Sequence, residues 1–225
     1  MTTLRVLSYN VLSLRRGTER VADVIRSCDP DVACVQEAPR FLLSQHRCRA
    51  LADAAGLRVV TGGRPAAAVL LLARPGLHVV RAASVKMPWR PPRHRRGLAI
   101  GVVRVGGTDV AVASTHLSLD DAERRAQAAL AVGHLTAFGV PAVLAGDVNE
   151  DPDGPAWRAL DAAFADAYAA APAGDGLTST AEHPRRRIDG IFVDRRLRVV
   201  SCGVPDVPGI VAASDHRPLL ATVEV

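Results

Sequence analysis

Lysine is almost missing from this chain: of 28 basic side chains only Lys86 is a lysine, so nearly all positive charge is arginine. Aromatic residues make up 4% of the 225 positions, and a core must therefore be assembled from the Ala, Val and Leu that dominate the 48% hydrophobic content. Cysteine is sparse too. Cys28, Cys34, Cys48 and Cys202 form no CxxC pair and no metal-ligand spacing, which argues against a zinc ribbon. Cys34 sits inside an apolar run and reads as a small core residue. No apolar run approaches the about 20 residues of a membrane span, and MTTLRVLSYN holds no apolar signal core. The expectation is a soluble protein of the reducing cytoplasm, without a membrane span.

The net charge of +5 favours a polyanionic or phosphorylated partner. The Ala-, Arg-, Gly- and Pro-rich composition also explains it as a bias of the source genome. Clustering is more telling. RPPRHRRG (Arg90–Gly97) and RRR (Arg185–Arg187) are dense and each precedes an apolar run. A mobile substrate loop and a solvated basic surface both fit the first.

Period-two apolar runs alternate with helical spacings. LRVLSYNV and PDVACVQEA read as strands, and GTERVADVIRSC between them as a helix with Thr18 as its N-cap. FLLSQHRCRALADAAG reads as a second helix, with Leu42, Leu43, Leu51 and Ala54 apolar and Gly56 as the stop. Five strand-like runs follow, and Gly106-Gly107 marks a hairpin between two of them. Ser118–Gly139 is the strongest helical segment, with Ser118 as N-cap and acidic residues in its first turn. A strand into GDVN, a helix near Pro155–Leu160, a loose stretch from Ala169 to Pro184 and three closing strands complete the chain. No linker or repeat divides it. One α/β domain over residues 1–225 with mixed sheets is expected.

Seven polar residues stand where strands begin or end: Asn10, Glu37, His116, Asp147, Asp189, Asp215 and His216. A catalytic rim on a sheet scaffold, written linearly, has this form. Each has an ordinary alternative. Asn10 and Asp147 suit turns, Asp189 behind three arginines suits a surface ion pair, and His116 suits a half-buried core. Jointly their chemistry is coherent. Glu37 and Asp215 are hard oxygen donors, Asn10 and Asn149 neutral carbonyl donors, and such a set suits Mg2+ or Mn2+ better than zinc. His116 and His216 are candidate phosphate donors or acid–base groups, and Asp189 a candidate to orient His216. Asp147 and Asn149 are two apart, so an extended backbone points both to one side. These parts suit water attack on a metal-bound phosphate ester.

In order, SYN (8–10), VQE (35–37), STHL (114–117), GDVN (146–149), RIDGIFV (187–193) and SDH (214–216) resemble the motifs of the endonuclease/exonuclease/phosphatase superfamily. The resemblance runs from residue 4 to 225. It implies a four-layer sandwich of two packed mixed β-sheets flanked by helices, and a divalent-metal phosphoesterase using Mg2+ or Mn2+. By motif, Glu37 resembles the principal metal-binding glutamate with Asn10 beside it, and Asp215 the further metal-associated aspartate. Asp147 and Asn149 resemble the residues that position water and phosphate, with Asp147 one choice of general base. His216, held by Asp189, and His116 complete the catalytic set. The resemblance leaves open which residue takes the proton. Arg96 falls where relatives place a basic residue near the substrate phosphate.

Three departures lead away from abasic-site repair enzymes: Leu12 and His116 replace expected Asn or Asp residues, and LTST (Leu177–Thr180) replaces a TW-type segment. Ala73 also stands where LSRP-type relatives have serine. The expected function is a phosphodiesterase acting on DNA or RNA. A phosphatase or phosphodiesterase for a small-molecule, nucleotide or lipid-headgroup phosphate is the alternative, and a catalytically dead phosphate-binding scaffold a third.

Overall fold

Runs of Val, Leu and Ala can be buried on both faces of a sheet, and here they are. β4 (Val69–Ala73) and β8 (Ala142–Asp147) are buried at every position. The structure is a computed structural model describing residues 2–225. Two six-stranded sheets form its centre. The first runs β11 (Arg198–Gly203), β12 (Leu219–Glu224), β1 (Thr3–Asn10), β2 (Val32–Gln36), β4, β3 (Arg58–Gly63). The second runs β5 (His78–Lys86), β6 (Gly97–Val105), β7 (Thr108–His116), β8, β10 (Asp189–Val193), β9 (Ala165–Asp166).

Parallel pairs require crossovers, which helices supply. α1 (Thr18–Cys28) links the parallel strands β1 and β2, and α3 (Asp121–Thr136) links the parallel strands β7 and β8. All other pairings are antiparallel. Val6, Cys34 and Leu71 of the first sheet pack between the sheets with Val103, Val112, Val143 and Ile191 of the second. On the outside of the first sheet, Val21, Val24 and Ile25 of α1 and Leu51 of α2 (Ser44–Ala54) pack with Leu7, Tyr9, Val35 and Leu70. On the other outer face Ala128, Ala131 and Leu135 of α3, with Trp157 and Leu160 of α4 (Pro155–Ala163), pack with Ile100, Leu144 and Phe192. The four layers follow: helices, sheet, sheet, helices. α5 (Ala167–Ala170) and α6 (Ile210–Ala213) are single turns.

With so few aromatics, Trp157 and Phe192 form an edge-to-face pair, centroids 5.1 Å apart. All four cysteines are buried and unpaired, and burial pushes their thiols up, away from the reactive thiolate.

Helix starts depart from expectation. α1 is preceded by Gly17 and has no side-chain cap, so Thr18 lies inside it. α3 is capped by Asp120, whose carboxylate accepts from Glu123 N–H at 2.9 Å. Ser118 instead donates to Glu123 and accepts from Asp120 N–H, tying down the approach to the helix. α2 begins at Ser44. Phe41, Leu42 and Leu43 stay outside it, exposed.

Candidate active site

The sheet topology brings the scattered motifs to one rim. β1, β2, β7 and β8 end there, delivering Asn10, the Gln36-Glu37 step, His116 and Asp147. β10 runs antiparallel to β8 and so starts there, delivering Asp189. β12 starts there as well, just after Asp215 and His216. Register fixes the neighbours: Asp147 is paired with His116 on one side and with Asp189 on the other. β7 and β8 approach closely behind them. A Cβ on Gly146 would lie 2.1 Å from the Thr115 carbonyl oxygen, so only glycine fits. Beneath the rim, Gln36 Nε2 donates to Ser114 Oγ (3.3 Å), which donates to Val35 O (3.2 Å), tying the two sheets together.

Asp147 is the hub. Asn10 Nδ2 donates to its Oδ2 (3.1 Å), and Asn149 N–H donates to its Oδ1 (2.9 Å). His116 Nε2 and His216 Nε2 lie 3.4 and 3.9 Å from the same Oδ2. Burial raises the Asp147 carboxyl to about 7, and nearby Asp189 adds to the effect; His216 and the hydrogen bonds from Asn10 and Asn149 oppose it.

His216 Nδ1 lies 2.8 Å from Asp189 Oδ2. Burial works against the imidazolium, but the charge and hydrogen bond of Asp189, joined by Asp147 and Asp215, outweigh it and raise His216 to about 10. His116 goes the other way. It is 7% exposed, and burial followed by the positive charge of Arg96 and His216 holds it well below the usual imidazole range. One rim thus carries a neutral and a charged imidazole on either side of one carboxylate.

A cleft of about 370 Å³ opens above these groups, with Glu37, Arg96, His116, Asp147, Asn149 and His216 on its walls. Asn10 and Asp189 are buried behind them. Arg96 is half-buried and its Nε has no partner. Burial lowers its affinity for its proton, while Asp147 and Glu37 pull the other way. Arg40 and His94 also line the cleft, 3.3 Å apart. Sequence reasoning left Arg40 out: it lies three residues beyond Glu37, outside the VQE motif itself.

Two orientations differ from expectation. Asn10 Oδ1 accepts from Leu12 N–H (3.1 Å), and its Nδ2 faces Glu37 Oε1 (3.3 Å) as well as Asp147. In this arrangement Asn10 offers two carboxylates a donor instead of offering a cation a carbonyl oxygen. Asn149 is not extended: its φ is +58°, a left-handed turn after the strand end, and its Nδ2 donates to Leu117 O (3.0 Å). Period-two geometry fails there because β8 stops at Asp147. Glu37 also has a left-handed φ of +52°, and such strain in residues other than glycine collects at functional sites.

Asp215 is half-buried, with Oδ1 3.3 Å from Ser214 Oγ, and does not line the cleft. Asp147, Asp189 and His216 can offer ligand atoms within 4.8 Å of one another. The 2.8 Å contact engages His216 Nδ1 and Asp189 Oδ2, while Asp189 Oδ1 is buried without a partner and His216 Nε2 faces Asp147. Two arginines of the RRR run are paired elsewhere. Arg186 pairs with Asp151, and Arg187 pairs with Asp166 while lying over the Trp157 and Tyr168 rings. Glu150, an ordinary loop residue by its sequence, is buried: it accepts from Ala156 and Trp157 N–H at the start of α4 and from Arg124 Nε.

Known proteins share this architecture. An endonuclease/exonuclease/phosphatase from Bacteroides vulgatus superposes with a TM-score of 0.84 at 22% identity, covering 100% of both chains. One from Beutenbergia cavernae gives 0.76 at 26% identity, over 100% of this chain and 72% of that one. A mannosyl-6-phosphatase from Bacteroides thetaiotaomicron gives 0.82 at 19%, over 99% and 100%. No curated protein matches the sequence. Residues 7–216 match the profile of the Endonuclease/Exonuclease/phosphatase family, and the chain belongs to it.

Proposed function

We propose that this endonuclease/exonuclease/phosphatase-family protein hydrolyses a phosphate ester in a reaction that depends on Mg2+ or Mn2+. The observation that carries the reading is the geometry around Asp147, whose Oδ2 has His116 Nε2 at 3.4 Å and His216 Nε2 at 3.9 Å, and whose carboxyl is raised by burial to about 7. A carboxylate poised near neutrality is suited to take a proton from attacking water. His216, held by Asp189, presents Nε2 to the same space and donates to the phosphate oxygens or the leaving group. Arg96 and neutral His116 supply further donors to the phosphate, and Asn149 holds Asp147 in place through its N–H.

The donor set fits a hard divalent cation. Glu37 is a wall carboxylate steadied by Asn10, and a Mg2+-like ion needs one or two carboxylates beside waters and substrate phosphate. Held there, the ion would supply charge neutralisation for the phosphate oxygens; Asp215, outside the cleft wall, is a further candidate ligand by motif alone.

Nucleic acid is the first substrate reading, favoured by the net charge of +5 and the cations around the cleft. A small or headgroup phosphate ester is the second, favoured by a cleft of only about 370 Å³; a neighbour in fold is a mannosyl-6-phosphatase. The test is turnover of single- and double-stranded DNA, RNA, nucleotides, sugar phosphates and phospholipids with Mg2+ or Mn2+, each with and without chelator. Chelator-sensitive turnover of one class assigns the substrate. No turnover in any class overturns the proposal and revives the binding scaffold.

A further inference from the structure

Beside the catalytic cleft the surface opens into a larger concavity of about 910 Å³, and the two share Arg40, Phe41 and Ala67. Its walls carry Arg40, Arg49, Arg64, Lys86 and Arg95, with no carboxylate among the lining residues. Among the described residues none of these five takes part in an ion pair, whereas ten other arginines do. Five cations without a paired carboxylate around one concavity favour an anionic partner.

Their apolar neighbours narrow the choice. Phe41, Leu42 and Leu43 lie on this concavity at 78%, 86% and 66% exposure, three consecutive large hydrophobic side chains in water. Helical periodicity predicts that Leu42 and Leu43 turn inward. Instead the segment precedes α2, and Leu43 takes a left-handed φ of +58° just before Ser44. Arg40 lies over the Phe41 ring at 5.1 Å. Close by in sequence to Arg95, Trp89 is 42% exposed with that arginine 4.7 Å over its ring.

We propose that this face docks onto an anionic lipid surface. Phe41, Leu42 and Leu43 enter the boundary between headgroups and acyl chains, and the five cations meet lipid phosphates and carboxylates. Side chains with apolar stems and charged heads suit that boundary; a contiguous exposed apolar tip marks a membrane or protein contact, and the cations around it favour the anionic membrane. A single-stranded nucleic acid would answer the cations and stack on Phe41, but it offers aliphatic Leu42 and Leu43 nothing comparable. Docking in this way turns the mouth of the catalytic cleft toward the lipid, because the two concavities share an edge. The inference does not depend on the reaction catalysed.

Co-sedimentation with vesicles of phosphatidylcholine alone and of phosphatidylcholine with phosphatidylserine tests it. Binding only to the anionic vesicles, weakening as salt rises, is expected. Arg49→Gln and Arg64→Gln should each lower partitioning about fivefold, the factor equivalent to roughly 1 kcal/mol per basic residue near such a surface. The double variant Leu42→Ser/Leu43→Ser should abolish it while circular dichroism and thermal melting stay unchanged. Leu42→Trp should give an added blue-shifted emission with anionic vesicles alone. No partitioning at low salt, or partitioning indifferent to the serine substitutions, overturns the proposal. So does a single-stranded oligonucleotide that binds through Arg49 and Arg64, independently of Leu42 and Leu43, and more tightly than the vesicles.

Discussion

His216 Nδ1 and Asp189 Oδ2 lie 2.8 Å apart, joining the SDH and RID motifs across 27 residues of sequence. The contact fixes which imidazole nitrogen faces the cleft and keeps the ring charged. Replacing Asp189 with Asn preserves shape and removes the charge. The His216 pKa should then fall from about 10 toward the ordinary imidazole range. The turnover number should drop roughly 100-fold, within the range for a misplaced acid–base group, with KM changed only a few-fold. An NMR titration of His216 alongside steady-state kinetics checks both.

Asp147→Asn should separate activity from stability. A buried acid raised to about 7 binds its proton more tightly when folded than when unfolded. Its carboxylate form therefore costs stability as pH rises from about 4 through about 7. Asn carries no such cost. Because an Asn amide can accept only one of the hydrogen bonds from Asn10 and Asn149, the metal-free variant should melt below the wild type near pH 4 and gain on it as pH rises to about 7. The ceiling is about 4 kcal/mol, at about 1.4 kcal/mol per pH unit of pKa difference. Hydrolysis should be lost at every pH. Melting curves in chelator across that range decide the matter.

Glu37 and Asn10 should differ in kind. Glu37→Gln removes the proposed principal ligand, so activity should fall steeply even at high Mg2+. Asn10→Ala leaves Glu37 in place but removes the donor on its Oε1. The Mg2+ concentration giving half-maximal rate should rise roughly 10- to 100-fold, the usual cost of losing a group that orients a ligand. Metal titrations of both variants read this directly.

Glu150 is a structural prediction. Glu150→Ala leaves Arg124, 6% exposed, without one carboxylate partner and strips two N–H groups at the start of α4 of their acceptor. Destabilisation of about 3 kcal/mol is expected, with the metal requirement of any residual activity unchanged. Chemical denaturation measures it.

The strands and the rim were legible because they depend on local facts: period, turn residues and polar groups at strand ends. Asn10, Glu37, His116, Asp147, Asp189 and His216 all reach one place because parallel strands end where antiparallel ones begin. What escaped was set by partners far away in sequence. The direction of the Asn10 amide depends on Leu12 N–H and two carboxylates. Glu150 looks like a loop residue until Arg124 and α4 surround it. Leu42 and Leu43 carry helical spacing, but the left-handed turn at Leu43 keeps them out of α2. The Ser118 cap failed because Asp120, two residues on, is better placed to accept from Glu123 N–H.

The most direct measurement is hydrolysis of bis-p-nitrophenyl phosphate by purified wild type and Asp147→Asn, each with Mn2+ and with chelator. Turnover by the wild type with metal alone, and none by the variant in either condition, is expected. Equal turnover by both proteins, or turnover that survives complete chelation, would contradict a metal-dependent phosphoesterase built around Asp147.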